Sequence, residues 1–129
     1  MERLTTRSSP RWLRTTAILY LMVLLTLTHL PRLGPIPDIP GKDKTCHFLS
    51  YLVAGILMLA AFGRVGRFFR PAVLAAGLLV LGCLDEWTQP WVGRSCDFMD
   101  WLADAIGIAF VAVAFILCRH FFGRYRATV

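Results

Sequence analysis

The sequence FMDWLADAIGIAFVAVAFILC, residues 98–118, is the strongest indication of the fold class. Its last 14 residues, Ala105 to Cys118, contain no charged side chain. A helix needs about 20 largely apolar residues to cross the hydrocarbon core of a bilayer. The uncharged part is too short to do so alone, so Asp100 and Asp104 must lie in the first turns of a spanning helix. We predict that helix over residues 98–122.

Three further apolar stretches precede this one, and charged residues bound each of them. They predict helices over residues 13–31, 44–63 and 71–89, with Pro71 in a first helical turn and Pro90 at a helix end. No small-residue cleavage site follows the first stretch, so we expect a retained helix rather than a signal peptide. The chain has 129 residues, 57% of them apolar, which is more than a soluble domain of this size can bury. We therefore predict an all-α, integral membrane four-helix bundle forming a single domain over residues 1–129.

Charge is divided unequally between the two ends of these helices. The N-terminus, the segment between helices two and three and the C-terminus contain ten basic residues and one acid. The remaining segments contain four basic and seven acidic residues. Because basic residues collect on the cytoplasmic side, we expect a multi-pass protein of the inner (plasma) membrane with both termini in the cytoplasm. The net charge of +6 lies at helix ends rather than along a stripe, so we expect no nucleic-acid partner.

Polar side chains recur every three or four residues at the acidic ends of helices two, three and four. That spacing places them on one face of each helix. A charge at the bilayer centre costs roughly 2.5–3.5 kcal/mol, so such residues face the bundle interior and find partners there. We predict an outward-facing polar pocket whose binding residues are Lys44, His47, Tyr51, Asp85, Glu86, Gln89, Arg94, Asp97, Asp100 and Asp104.

Several of these residue types have more than one possible role. Lys44 and Arg94 could bind a lipid phosphate or only balance the acids. His47 could be a metal ligand or a proton shuttle, although a hydrogen-bonded structural partner is the commoner role. The carboxylates could hold a divalent cation, but no spacing specifies a metal, and we assign no metal site and no cofactor. Cys46 and Cys96 lie on the same side, where a disulfide could form.

The joint spacing of these residues resembles that of the VanZ-like membrane proteins. That family has a Lys and a His before a Tyr, then a DE-x-x-Q segment, a Gly-Arg pair, and two polar positions followed by a Gly. The matching residues are Lys44, His47, Phe48, Tyr51, Asp85, Glu86, Gln89, Gly93, Arg94, Asp100, Asp104 and Gly107. Many members have Asn where this chain has Asp104, which leaves an additional negative charge here. The resemblance covers residues 41–107 and implies an association with glycopeptide (teicoplanin) tolerance, without a defined activity.

Three functions are compatible with this pattern. The first is binding or modification of an envelope lipid or a lipid-linked cell-wall intermediate, whose anionic headgroup suits a mixed-charge pocket. The second is a membrane enzyme, a metal-assisted hydrolase or transferase acting on phosphate-linked lipids. The third is a structural or accessory subunit without a ligand. The sequence leaves open whether the chain is catalytic and whether it forms a homo-oligomer.

Overall fold

The structure, a computed structural model, describes residues 9–30, 41–63 and 70–125. Within these ranges the chain forms four α-helices and one short 3₁₀ helix and contains no strand, which confirms the all-α class. Each helix begins and ends within three residues of its predicted bounds. The helices are α1 (Arg11–Thr28), α2 (Lys42–Phe62), α3 (Arg70–Thr88) and α4 (Phe98–Tyr125), and the 3₁₀ helix is Gln89–Val92.

The first helix is shorter than predicted at its C-terminal end. It ends at Thr28 rather than at residue 31, and His29 follows it with non-helical backbone angles. Pro31 disfavours helical backbone at the residue before it, so the helix must end ahead of Leu30. The early end frees Thr28 and His29 for contacts with a neighbouring helix.

Three of the helical segments are long and apolar enough to cross a membrane: Lys42–Phe62, Arg70–Val92 and Phe98–Phe121. Only about a third of each segment is buried inside the protein, and large apolar side chains such as Phe110 and Val73 point outward. Lipid is the environment that such outward-facing apolar surfaces require. The shorter α1 has arginines at its first and fourth positions, and it is not among these three. Of the four predicted spanning helices, three therefore have the length and apolar composition that crossing a membrane requires.

The second helix is central and contacts each of the other three. Its closest approach is to α4, where a Cβ on Gly107 would lie 2.6 Å from the Phe48 carbonyl oxygen and 3.1 Å from the Leu52 nitrogen. A Cβ on Gly55 would lie 3.4 Å from the Cβ of Val111 at the same interface. The missing side chain of Gly107 therefore lets two helix backbones touch, as small residues do between membrane helices.

Consecutive helices run in opposite directions, so their ends meet in two groups. We call one group the charged end; it contains the last turns of α1 and α3 and the first turns of α2 and α4. The other group is the arginine end, where Arg119 donates to the Gly63 carbonyl oxygen and Ser9 donates to the Ala61 carbonyl oxygen. Between the two ends lies an apolar core, made of Leu24, Tyr51, Ala54, Leu59, Leu78, Ile108, Val111 and Ala112.

Candidate functional site

Three charged residues join α2 to the start of α4 at the charged end, and we call them the surface layer. Lys44 Nζ donates to Asp97 Oδ2 at 2.9 Å and to Asp100 Oδ1 at 3.0 Å. Asp97 also accepts the Met99 N–H through Oδ1 at 2.8 Å, which satisfies a free donor in the first turn of α4. The pKa of the Asp97 carboxyl is lowered from its ordinary value, chiefly by the Lys44 ammonium and to a smaller extent by the Met99 N–H.

One turn deeper, His47 lies among carboxylates from two other helices. Its Nδ1 is 3.1 Å from Asp104 Oδ1 and 3.7 Å from Glu86 Oε1, and its Nε2 is 3.9 Å from Asp100 Oδ2. All four side chains are buried. We call His47, Glu86 and Asp104 the buried layer, because these three residues bring α2, α3 and α4 together beneath Lys44.

Glu86 connects the buried layer to the loop between α3 and α4. Gln89 Nε2 donates to Glu86 Oε1 at 2.9 Å, and the Asp97 N–H donates to Glu86 Oε2 at 3.1 Å. The loop turns back at Gly93, whose φ of +76° is in the left-handed region that favours glycine. The Arg94 N–H then donates to the Gln89 carbonyl oxygen at 3.2 Å. The glycine of the Gly-Arg pair is thus explained by the backbone.

Asp85 faces a different helix from its neighbour Glu86. Its Oδ1 accepts the Thr28 hydroxyl at 2.7 Å and lies 3.3 Å from His29 Nδ1. His29 Nε2 is also 2.8 Å from the Thr88 hydroxyl oxygen. The sequence prediction included Asp85 in the pocket but omitted Thr28, His29 and Thr88. The order of the helices could have indicated these residues, because antiparallel neighbours place the end of the first helix at the same side of the bundle as the end of the third.

Several buried polar atoms of the described residues have no hydrogen-bond partner at this end. They include Tyr51 Oη, Asp85 Oδ2 and Asp104 Oδ2. Tyr51 and Asp104 are both fully buried and lie against Gly82, where an added Cβ would be 3.4 Å from both Tyr51 Cζ and Asp104 Oδ2. Buried polar groups in proteins are nearly always hydrogen-bonded, so these atoms mark a place where the site can take a further polar group.

Arg94 differs in its contacts from Lys44, the other basic residue of the predicted site. It is half-buried, and its Nε is shielded from solvent without a hydrogen-bond acceptor. Within the described part of the chain, Arg94 forms no ion pair, whereas Lys44 is bound to two carboxylates. Two exposed tryptophans, Trp87 and Trp91, flank its loop, with ring centroids 6.1 Å apart.

The structure thus brings most of the predicted site residues together. Tyr51 packs beside this group, Asp85 turns toward α1, and Arg94 joins it only through its backbone. The thiols of Cys46 and Cys96 are exposed and free, so the structure contains no disulfide between them. The seven predicted residues in mutual contact are Lys44, His47, Glu86, Gln89, Asp97, Asp100 and Asp104.

No protein-family model, no curated protein and no solved structure matches the chain. The chemistry of its own side chains therefore indicates what the site can bind. Beside its surface layer lies the Arg94 guanidinium, which suits an anionic group, and its interior presents imidazole and carboxylate atoms that suit a cation.

Proposed function

We propose that the chain is an inner-membrane four-helix bundle with α1 as a fourth spanning helix and both termini in the cytoplasm. Support comes from the charges: Arg14, Arg70 and Arg119 lie toward the arginine end, and the carboxylates lie at the other. On α1, apolar side chains such as Met22 and Leu27 are more than half exposed, as lipid-facing residues are. The charge count behind this orientation also includes residues outside the described ranges. Arg3, Arg7, Arg64, Arg67, Arg126 and Asp38 favour the orientation, and Glu2 and Arg32 are exceptions to it.

We further propose that the chain is a VanZ-like protein. The support is that separate segments of the family pattern meet in space. Lys44 binds Asp100, and His47 contacts Asp104, although these pairs are more than 50 positions apart in the sequence. Residues that a family keeps for one structural site are expected to contact one another in the fold. Residues that match the family pattern by chance need not be in contact.

The function that the site supports best is binding of the phosphate-bearing headgroup of an envelope lipid or a lipid-linked cell-wall intermediate. The observation that supports it is the Arg94 guanidinium, which has no ion-pair partner among the described residues, at an end where Lys44 is already neutralised by Asp97 and Asp100. A guanidinium presents a planar fork of donors that matches two phosphate oxygens. The exposed Trp87 and Trp91 beside it are the residue type found at headgroup depth.

Lipid mass spectrometry on the protein in native nanodiscs tests this function. We expect an enriched phosphorylated lipid to co-purify with wild type and to be lost in Arg94→Ala. Arg94→Lys should retain only part of this lipid, because an ammonium group has no planar fork of donors. Arg119→Ala is the matched control, because Arg119 lies at the opposite end and donates to the Gly63 carbonyl oxygen. An ordinary lipid profile in wild type, unchanged by Arg94→Ala, would contradict the proposal and favour a structural role for the charged end.

A further inference from the structure

The buried layer has the spacing of a metal site. Ligand atoms of His47, Glu86 and Asp104 all lie within 4.8 Å of one another, and all three residues are buried. Two of the three separations, from His47 Nδ1 to Asp104 Oδ1 and to Glu86 Oε1, are 3.1 and 3.7 Å. Two ligands each about 2.1 Å from a four- or six-coordinate ion lie about 3.0–3.5 Å apart. Small side-chain adjustments would therefore place the three atoms around a common ion.

The charges of this layer also favour a cation. When both are ionised, Glu86 and Asp104 carry two negative charges, and Lys44 is bound to Asp97 and Asp100 instead. A neutral His47 with two carboxylates and one divalent ion gives a layer with no net charge. In a buried region between helices, that balance removes most of the cost of keeping carboxylates away from water.

A second observation, besides the spacing of the ligand atoms, points to a bound group at the same place. Tyr51 is fully buried, and its hydroxyl has no hydrogen-bond partner. The end of the Tyr51 ring lies beside Asp104, because a Cβ on Gly82 would be 3.4 Å from both Tyr51 Cζ and Asp104 Oδ2. The buried Asp104 Oδ2 is likewise without a partner. A metal-bound water would supply a hydrogen-bond donor for these oxygens.

We propose that His47, Glu86 and Asp104 bind one divalent first-row metal ion, of the kind represented by Mn²⁺ and Zn²⁺. One imidazole nitrogen with two carboxylate oxygens is a mixed set that these ions accept. Supporting groups are present as well: Gln89 Nε2 donates to Glu86 Oε1, and His47 Nε2 faces Asp100 Oδ2 at 3.9 Å. Binding through Nδ1 places the imidazole proton on Nε2, toward that carboxylate. This proposal does not depend on the lipid headgroup site.

A neighbouring set, Asp43, His47 and Asp100, also meets the distance condition, but Asp43 is exposed and Asp100 is bound to Lys44. The two sets share His47 and differ in their carboxylates. Amide substitutions therefore distinguish them, because each replaces one carboxylate oxygen and keeps the shape of the side chain.

The test uses the full chain in phosphatidylcholine nanodiscs, whose neutral headgroups bind little metal, after treatment with a chelator. Titration with Mn²⁺, followed by loss of the free-ion signal in electron paramagnetic resonance, should show one ion per chain. We expect His47→Asn, Glu86→Gln and Asp104→Asn each to weaken binding by about tenfold or more. Matched controls are Asp43→Asn and His120→Asn, which should bind within about twofold of wild type because they leave the buried layer unchanged.

A measurement on wild type alone makes the result independent of how well the variants fold. Bound Mn²⁺ should show a nitrogen coupling in pulsed electron paramagnetic resonance, and the same site should be blocked by Zn²⁺. Binding no stronger than that of empty nanodiscs, or bound Mn²⁺ without a nitrogen coupling, would overturn the proposal. So would binding that survives Asp104→Asn but is lost in Asp43→Asn, since the ion would then occupy the neighbouring set.

Discussion

The Thr28 hydroxyl donates a 2.7 Å hydrogen bond to Asp85 Oδ1, and this contact joins α1 to the acidic end of α3. The Asp85 side chain is fully buried, and its second oxygen has no partner. Thr28 and His29 are therefore the groups that compensate most directly for burying this carboxylate. The first helix is part of the polar network and not only a lipid-facing neighbour of it.

Replacing Thr28 with Val should destabilise the protein, because the substitution removes the hydroxyl while nearly preserving side-chain shape. A buried carboxylate that loses a donor costs about 1–3 kcal/mol. Thermal unfolding in detergent micelles measures the effect. Thr26→Val is the matched control, since the Thr26 hydroxyl is exposed and donates to the Met22 carbonyl oxygen of its own helix. Equal unfolding temperatures for the two variants would show that the Thr28–Asp85 bond contributes nothing.

Gly107→Ala should weaken the α2–α4 interface. The new methyl group would lie 2.6 Å from the Phe48 carbonyl oxygen, and backbone atoms cannot turn aside as a side chain can. We expect a loss of about 1–3 kcal/mol, typical of overpacking in a tightly packed region. Unfolding in increasing sodium dodecyl sulfate measures it. Gly77→Ala has no atom within 4 Å of the added methyl, so it should be neutral or slightly stabilising.

The Lys44–Asp97 ion pair predicts a particular pH dependence. The Asp97 carboxyl has a lowered pKa in the folded chain, chiefly because of Lys44. A lowered folded pKa means that the stabilisation is present above the ordinary Asp pKa of about 3.9 and is lost as the pH falls through the lowered value. The unfolding temperature of wild type relative to Asp97→Asn should therefore be constant from about pH 7 to 5 and decline below about pH 4.

Asn retains the ability to accept the Met99 N–H, so that comparison isolates the charge. A difference between wild type and Asp97→Asn that grows on acidification would contradict the assigned pair. Added salt should reduce the difference at neutral pH, because the pair is partly exposed.

The proposed orientation places Cys96 outside the cell. In a variant with Cys46, Cys83 and Cys118 replaced by Ser, Cys96 should react with a membrane-impermeant maleimide in intact cells, since its thiol is exposed. The control adds Cys96→Ser and Thr128→Cys, which moves the thiol to the C-terminus and should label only after the membrane is permeabilised. Labelling of Thr128→Cys in intact cells, with Cys96 protected, would reverse the orientation.

The helices and the interior position of the acids could be predicted from the sequence, because both follow from the length of apolar runs and the cost of charge in lipid. The direction in which each side chain points could not be predicted from the sequence. Neighbouring residues in a helix point about 100° apart, so Asp85 and Glu86 cannot face the same partner, yet a motif groups them together. Thr28 and His29 are residue types that are common at membrane interfaces. They become part of the site only because the end of α1 meets the end of α3, where they contact Asp85 and Thr88.

The close contact at Gly107 also sets the register between two helices. Gly107 is three positions after Asp104, so the glycine that seats α4 on α2 fixes the depth and angle at which Asp104 meets His47. Inserting one residue between them would turn the aspartate by about 100° and shift it by about 1.5 Å relative to that contact. The three-residue spacing between Asp104 and Gly107 therefore limits changes in chain length here. This turn of α4 can tolerate substitutions at other positions, but it cannot tolerate an insertion or a deletion.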